Sequence, residues 1–155
     1  MAEKKLSIAF VWHLHQPNYK DSATNMYLMP WVRLHAIKDY LDMLLLLDEF
    51  PKIKQTFNIV PLLMDQLEDY ANNGAHDVHS TLTLKDVDNL AEQDKVFILN
   101  SFFDANYNSM ISIHPRYNYL YEKRYSSGAK IEDFSPQEYS DILMWFNLAW
   151  FDPYW

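Results

Sequence analysis

The sequence predicts an α/β chain in which two parallel strands lead into a helix-rich region. Two observations carry this. The apolar runs Leu6-Ser-Ile-Ala-Phe-Val-Trp12 and Gln55-Thr-Phe-Asn-Ile-Val60 are rich in strand formers and lie on either side of a helical stripe. Strand, helix, strand, helix in that order is a βαβ unit, which joins parallel strands by a right-handed crossover. Beyond Gly74 the pattern reads as helical. The expected division is a βαβα unit over residues 1–75 and a helical region over residues 76–155.

The first run is nearly uninterrupted by polar residues, as expected of a strand covered on both faces. Residues 18–30 are polar and irregular and read as a loop. From Trp31 to Phe50 the residues Leu34, Ile37, Leu41, Leu44 and Leu45 follow helical spacing, and Pro51 stops the helix. The second run has the same strand character. Pro61 then opens a helix with Leu62, Leu63, Leu67 and Tyr70 on its apolar stripe, and Gly74 closes it. Thr83 with Asp86 resembles a capping box for a helix over residues 84–104. Residues 114–127, rich in Tyr and Arg, read as a loop or a broken helix. Ser135-Pro-Gln-Glu138 combines an N-cap, a first-turn proline and a reciprocal glutamate, so a helix should run from there to about Trp150.

Composition removes whole classes of function. Of 155 residues, 49% are hydrophobic and 22% charged, which excludes a disordered chain. Thirteen Lys and Arg against 21 Asp and Glu give a net charge of −8, so nucleic acid is not the expected partner, whereas a neutral ligand is allowed. The absence of cysteine excludes disulfides, thiolate metal sites and Cys nucleophiles. With only Gly74 and Gly128, no Gly-rich phosphate loop can be built, and no cofactor is expected. Lys4 and Lys5 before the first apolar run imitate a short signal core. The run is too short, however, and ends on His13 without a small-residue cleavage site. Met43-Leu-Leu-Leu-Leu47 is far below spanning length. The expectation is a cytoplasmic protein with no membrane partner.

The chemistry concentrates in Trp12-His-Leu-His-Gln-Pro17 at the C-terminal end of the first strand. That edge of a parallel sheet is where ligands bind in α/β folds. His13 and His15 share a face of a regular strand, and Gln16 adds an amide able to donate and accept. Three readings compete. The imidazoles are a strand-end cap and a satisfied core histidine, they are metal ligands of a hydrolase or deacetylase, or they hydrogen-bond to sugar hydroxyls. The second strand offers Asn58, a poor transition-metal ligand and a good hydroxyl partner, which favours the sugar reading.

Val11-Trp-His-Leu-His-Gln-Pro17 resembles the first motif of glycoside hydrolase family 57. Pro30-Trp-Val-Arg-Leu-His-Ala-Ile-Lys-Asp-Tyr40, Thr56-Phe-Asn-Ile-Val-Pro-Leu-Leu63 and Asn147-Leu-Ala-Trp-Phe-Asp-Pro153 resemble later segments of its α-amylase and amylopullulanase branch. The resemblance implies the N-terminal part of a (β/α)7 barrel, with the helix-rich region as an insertion. It also implies retaining action on α-glucans such as starch, glycogen or maltooligosaccharides. The Glu nucleophile and Asp acid/base of such an enzyme stand about 5–5.5 Å apart. No segment here matches either one, and Glu122, Glu132, Asp133, Glu138 and Asp141 have nothing to promote them. The implied role is therefore substrate binding, by His13, His15, Gln16, Trp31 and Asn58. Trp31 suits stacking on a sugar or packing, while Arg33 and His35 suit structure, Arg33 by holding a loop through a carboxylate.

Three further features complete the reading. His76-Asp-Val-His79 carries metal-like letters but reads as a solvated turn. The tyrosines of residues 107–125 suit a glucan groove or packing equally. The aromatic finish over residues 145–155 reads as core or interface. Since a (β/α) barrel needs about 250 residues, the expectation is an incomplete catalytic domain. Its partner would be the remainder, C-terminal to Trp155, and the chain alone would be inactive and prone to associate. A non-catalytic carbohydrate-binding or structural fragment is the remaining alternative.

Overall fold

The computed structural model of the protein describes residues 6–153. Expectations resting on Lys4, Lys5 and Trp155 lie outside them. Two short strands, β1 (Val11–Leu14) and β2 (Thr56–Ile59), pair in parallel with His13 opposite Asn58 and Leu14 opposite Ile59. Backbone bonds from Thr56 N–H to Phe10 O (3.0 Å) and from Val60 N–H to Leu14 O (3.2 Å) extend the ladder at each end. β1 is shorter than its apolar run and sits at the end of it, so the first part of that run is not strand.

Side chains alternate across a strand, so Trp12, Leu14, Phe57 and Ile59 share one face and His13 and Asn58 the other. Leu14, Phe57 and Ile59 meet Tyr40, Leu44, Leu63 and Leu67 around a small apolar cavity of about 90 Å³. Helices therefore cover one face only. The expected burial on both faces is corrected: Val11, on the bare face, is 66% exposed, and Trp12, at the edge of the helical face, 45%. Among the described residues nothing packs on the other face, because the chain spends its remaining apolar residues on a separate helical core.

The helix expected over residues 31–50 is two helices, α1 (Trp31–Ala36) and α2 (Asp39–Glu49). Lys38, at φ −127° and ψ −91°, breaks the helical path between them. α1 buries Val32 and Leu34, whereas α2 buries no residue. α3 (Pro61–Asn72) starts on its proline as expected, and Gly74 behind it takes φ +66°, a left-handed conformation that costs a glycine little. Residues 18–30 form the expected loop, but a tied one. Tyr27 is buried, donates its N–H to His76 O (3.0 Å), and accepts from Val78 N–H (3.1 Å).

The helical region differs from expectation at its start. Thr83 is the last residue of α4 (Val78–Thr83), and the capping box belongs to Asp77 and Ser80 instead. Asp86 caps only a 3₁₀ turn (Val87–Asn89) before α5 (Glu92–Ser101). After a π-helical turn (Tyr107–Ile111), residues expected to be loop or broken helix form α6 (Pro115–Tyr125). Tyr117 and Leu120, three apart, are its buried face, and tyrosine acts there as a large apolar residue. A second 3₁₀ turn (Ile131–Asp133) precedes α7 (Pro136–Trp150). The Ser135–Glu138 box forms as read, and the helix ends at Trp150. One aromatic-rich core joins α5, α6 and α7 through Ile98, Phe102, Tyr117, Leu120, Ile142 and Phe146. No helix among the described residues is long and apolar enough to cross a membrane.

Candidate substrate-binding site

His13 lies in β1 one residue before its end, and His15 follows just beyond that end, their ring centroids 6.0 Å apart. Both are exposed, and Asn58, opposite His13 in the ladder, is exposed beside them. The three sit at the C-terminal end of the parallel pair, His13 and Asn58 on the face without helices. Among the described residues no three His, Asp or Glu side chains gather as metal ligands.

Gln16 lies lower and half-buried. Its amide donates to Tyr40 OH (3.1 Å) and accepts from Tyr19 OH (2.9 Å), leaving one N–H and one lone pair unused. Burial raises the Tyr19 phenol above its ordinary value, so it stays a donor. The turn behind is held by Gln66 on α3, which is buried, donates to Pro17 O (3.0 Å) and accepts from Tyr19 N–H (3.1 Å). Two mainchain bonds from one buried amide fix where the His-Gln-Pro segment leaves the sheet. The sequence held a signal for it: a polar residue three positions after Leu63, on a stripe otherwise apolar.

Trp31 packs on Trp150 of α7 at 5.8 Å between rings, and His35 meets Trp150 edge-on at 5.2 Å. His35 Nδ1 bonds the Asp39 carboxylate. A carboxylate only accepts, so Nδ1 carries the proton. Gln16, Tyr19, Trp31, His35 and Trp150, with the loop at residues 104–106, line one open depression of about 570 Å³. It brings together Gln16 and Trp31; His13, His15 and Asn58 stand outside it, on the strand ends.

Arg33 does hold a loop through a carboxylate. Its guanidinium donates from Nε to Asp77 Oδ2 (2.7 Å) and from Nη2 to Oδ1 (3.4 Å), and from Nη1 to Asn147 Oδ1 (3.3 Å). Asn147 in turn donates to Thr83 Oγ1 (2.9 Å). Tyr70 adds a bond to Asp77 (3.3 Å), and burial, then the nearby Asp77 charge, raise its phenol. The reading of residues 76–79 as a solvated turn is therefore corrected. Asp77 is fully buried, and His79 packs among Phe97, Phe102 and Phe146. Burial, the dominant cause, lowers the His79 imidazole to about 4. The letters misled because a capping aspartate that also takes an arginine fork looks polar in sequence yet is satisfied inside.

So the sequence segments at residues 30–40 and 147–153 meet in space around the Arg33 network and the Trp31–Trp150 contact, beside the segment at residues 11–17. The family model described as glycosyl hydrolase family 57 matches residues 9–155. The chain belongs to glycosyl hydrolase family 57. A search of curated proteins and of solved structures returns no match. Membership makes the chain a glycoside hydrolase sequence of a family acting on α-glucans, and the parallel strand pair with its helices agrees with an α/β fold.

Proposed function

We propose that the chain carries part of the sugar-binding face of a retaining α-glucan hydrolase of the α-amylase and amylopullulanase branch, acting in the cytoplasm. One observation supports this most. The histidines of the family motif stand on the bare face and end of a parallel sheet whose other face carries the helices. In a (β/α) barrel, helices lie outside and the active site is at the C-terminal ends of the strands. In this reading residues 1–155 are the N-terminal portion of a (β/α)7 barrel, with the helical region as an insertion. His13, His15 and Asn58 hydrogen-bond to glucosyl hydroxyls, and Gln16 and Trp31 bind the next unit. Such bonds strengthen as positive charge grows on the sugar ring in the transition state.

The Glu nucleophile and Asp acid/base belong, in this reading, to strands outside these 155 residues. The purified chain should therefore bind maltoheptaose without turning over starch. Calorimetric titration is expected to show binding that His15→Ala weakens severalfold. Release of reducing ends from soluble starch by the chain alone would overturn the placement of the catalytic pair. Stoichiometric zinc lost in His15→Ala would instead favour a metal-dependent hydrolase.

A further inference from the structure

The depression holding Gln16 and Trp31 has a second wall, the loop at residues 104–106 between α5 and the π-helical turn. The loop is built rigidly. Ala105 N–H donates to Phe103 O (2.8 Å), and the Asn106 side-chain oxygen accepts from both the N–H and the hydroxyl of Ser109 at 3.0 Å. Phe102 and Phe103 just before it are buried in the helical core. Asp104 stands on this fixed loop, and its carboxylate makes no hydrogen bond or ion pair among the described residues. Partial burial nevertheless pushes its carboxyl above the ordinary aspartate value, with nothing compensating. It is an exposed acceptor with no protein donor among the described residues, on the rim of the same depression as the Gln16 amide.

The hollow's chemistry narrows what can fill it. Its lining includes no Lys or Arg, so an anion finds no counter-charge there. Trp31, partly exposed and backed by the buried Trp150, offers indole surface suited to the C–H face of a pyranose. Gln16 keeps one free N–H and one free lone pair, and Asp104 supplies acceptors for hydroxyl donors. The depression is shallow and open, a shape that suits one face of an extended ligand rather than an enclosed small molecule. A neutral ligand with an apolar face and a rim of hydroxyls satisfies all of these, and a glucosyl unit is one.

We propose that Asp104 is a glucan-binding residue, whose carboxylate accepts hydrogen bonds from the hydroxyls of a glucosyl unit seated against Trp31. The glucan then runs from the strand ends of the βαβα unit onto the helical region, so both regions of the chain bind one ligand. This rests on the α-glucan reading above. A charged acceptor strengthens each hydroxyl bond, which is why an exposed carboxylate without a cation is useful at this position.

The test is calorimetric titration of the 155-residue chain with maltoheptaose, alongside thermal melts. Variants are Asp104→Ala, Asp104→Asn, His15→Ala and Glu132→Gln, the last a carboxylate on a different hollow. Asp104→Ala is expected to raise Kd about tenfold, the size of one charged hydrogen bond, with an unchanged melting temperature. Asp104→Asn, which keeps the shape and one acceptor, should lose less, and Glu132→Gln should lose nothing. If Asp104→Ala itself melts lower, Asp104→Asn decides: weaker binding at an unchanged melt supports the proposal, and unchanged binding overturns it. Unchanged binding in Asp104→Ala while His15→Ala weakens it overturns the role of Asp104 alone. No binding by the unaltered chain overturns the glucan reading itself.

Discussion

The two regions of this chain are packed to different standards. From Asp77 onward the helices bury Ile98, Phe102, Tyr117, Tyr139, Ile142 and Phe146 almost completely around one core. Before it, β1 and β2 are largely exposed, α2 buries nothing, and Leu34 is the buried residue that this part sends into that core. The family motif, His13 to Pro17, lies in the thinly packed region. Its position depends on a few polar ties, Gln66 behind the motif and Arg33 reaching to Asp77 and Asn147. In the proposed reading this surface receives the ligand and stays open on that side, while directional hydrogen bonds hold it in register.

This contrast predicts a graded set of effects. The largest is in the core: Phe146→Ala should destabilise by about 3–5 kcal/mol in urea unfolding, through lost burial and a cavity. Arg33→Ala comes next, at about 3 kcal/mol, because it strands the Asp77 charge inside. Proton exchange measured by NMR should then show β1 and α1 loosening while α5 to α7 stay protected. Acid gives a related test. His79 has a folded value near 4 against an ordinary 6.5, so the unfolded chain takes up its proton first. Its contribution is whole above about pH 6.5 and is lost as pH falls towards 4, on the order of 3 kcal/mol in all. His79→Phe should flatten that part of the stability profile. Ser135→Ala, removing the cap of α7, is expected to cost about 1 kcal/mol. The smallest effect falls on α2, where Leu46→Ser, at an exposed position, should stay within about 0.5 kcal/mol. A larger loss there would show that the thin region is covered in solution by something absent from the described residues.

Local chemistry was legible wherever a signal was complete within a few residues. Ser135 with Glu138, Pro61 at its helix start and Gly74 behind the same helix each act through neighbours in sequence, and each formed as read. Reading failed where a residue's partner was distant. Asp77 looked solvated because Arg33 is 44 positions away, and Gln66 passed unnoticed because its partners are Pro17 O and Tyr19 N–H. The tyrosines of α6 looked like loop material because their burial depends on α7, the π-helical turn and Phe102 and Phe103 behind α5.

The sequence by itself determined the parallel strand pair, the strong helix starts and the family, since motif order and short-range periodicity survive without any contact being known. Only the tertiary structure decided which sheet face is bare, that residues 30–40 and 147–153 meet, and that Asp104 shares a hollow with Gln16 and Trp31. Those facts depend on distant segments packing together, and burial and pairing are properties of the packed chain rather than of any window of it.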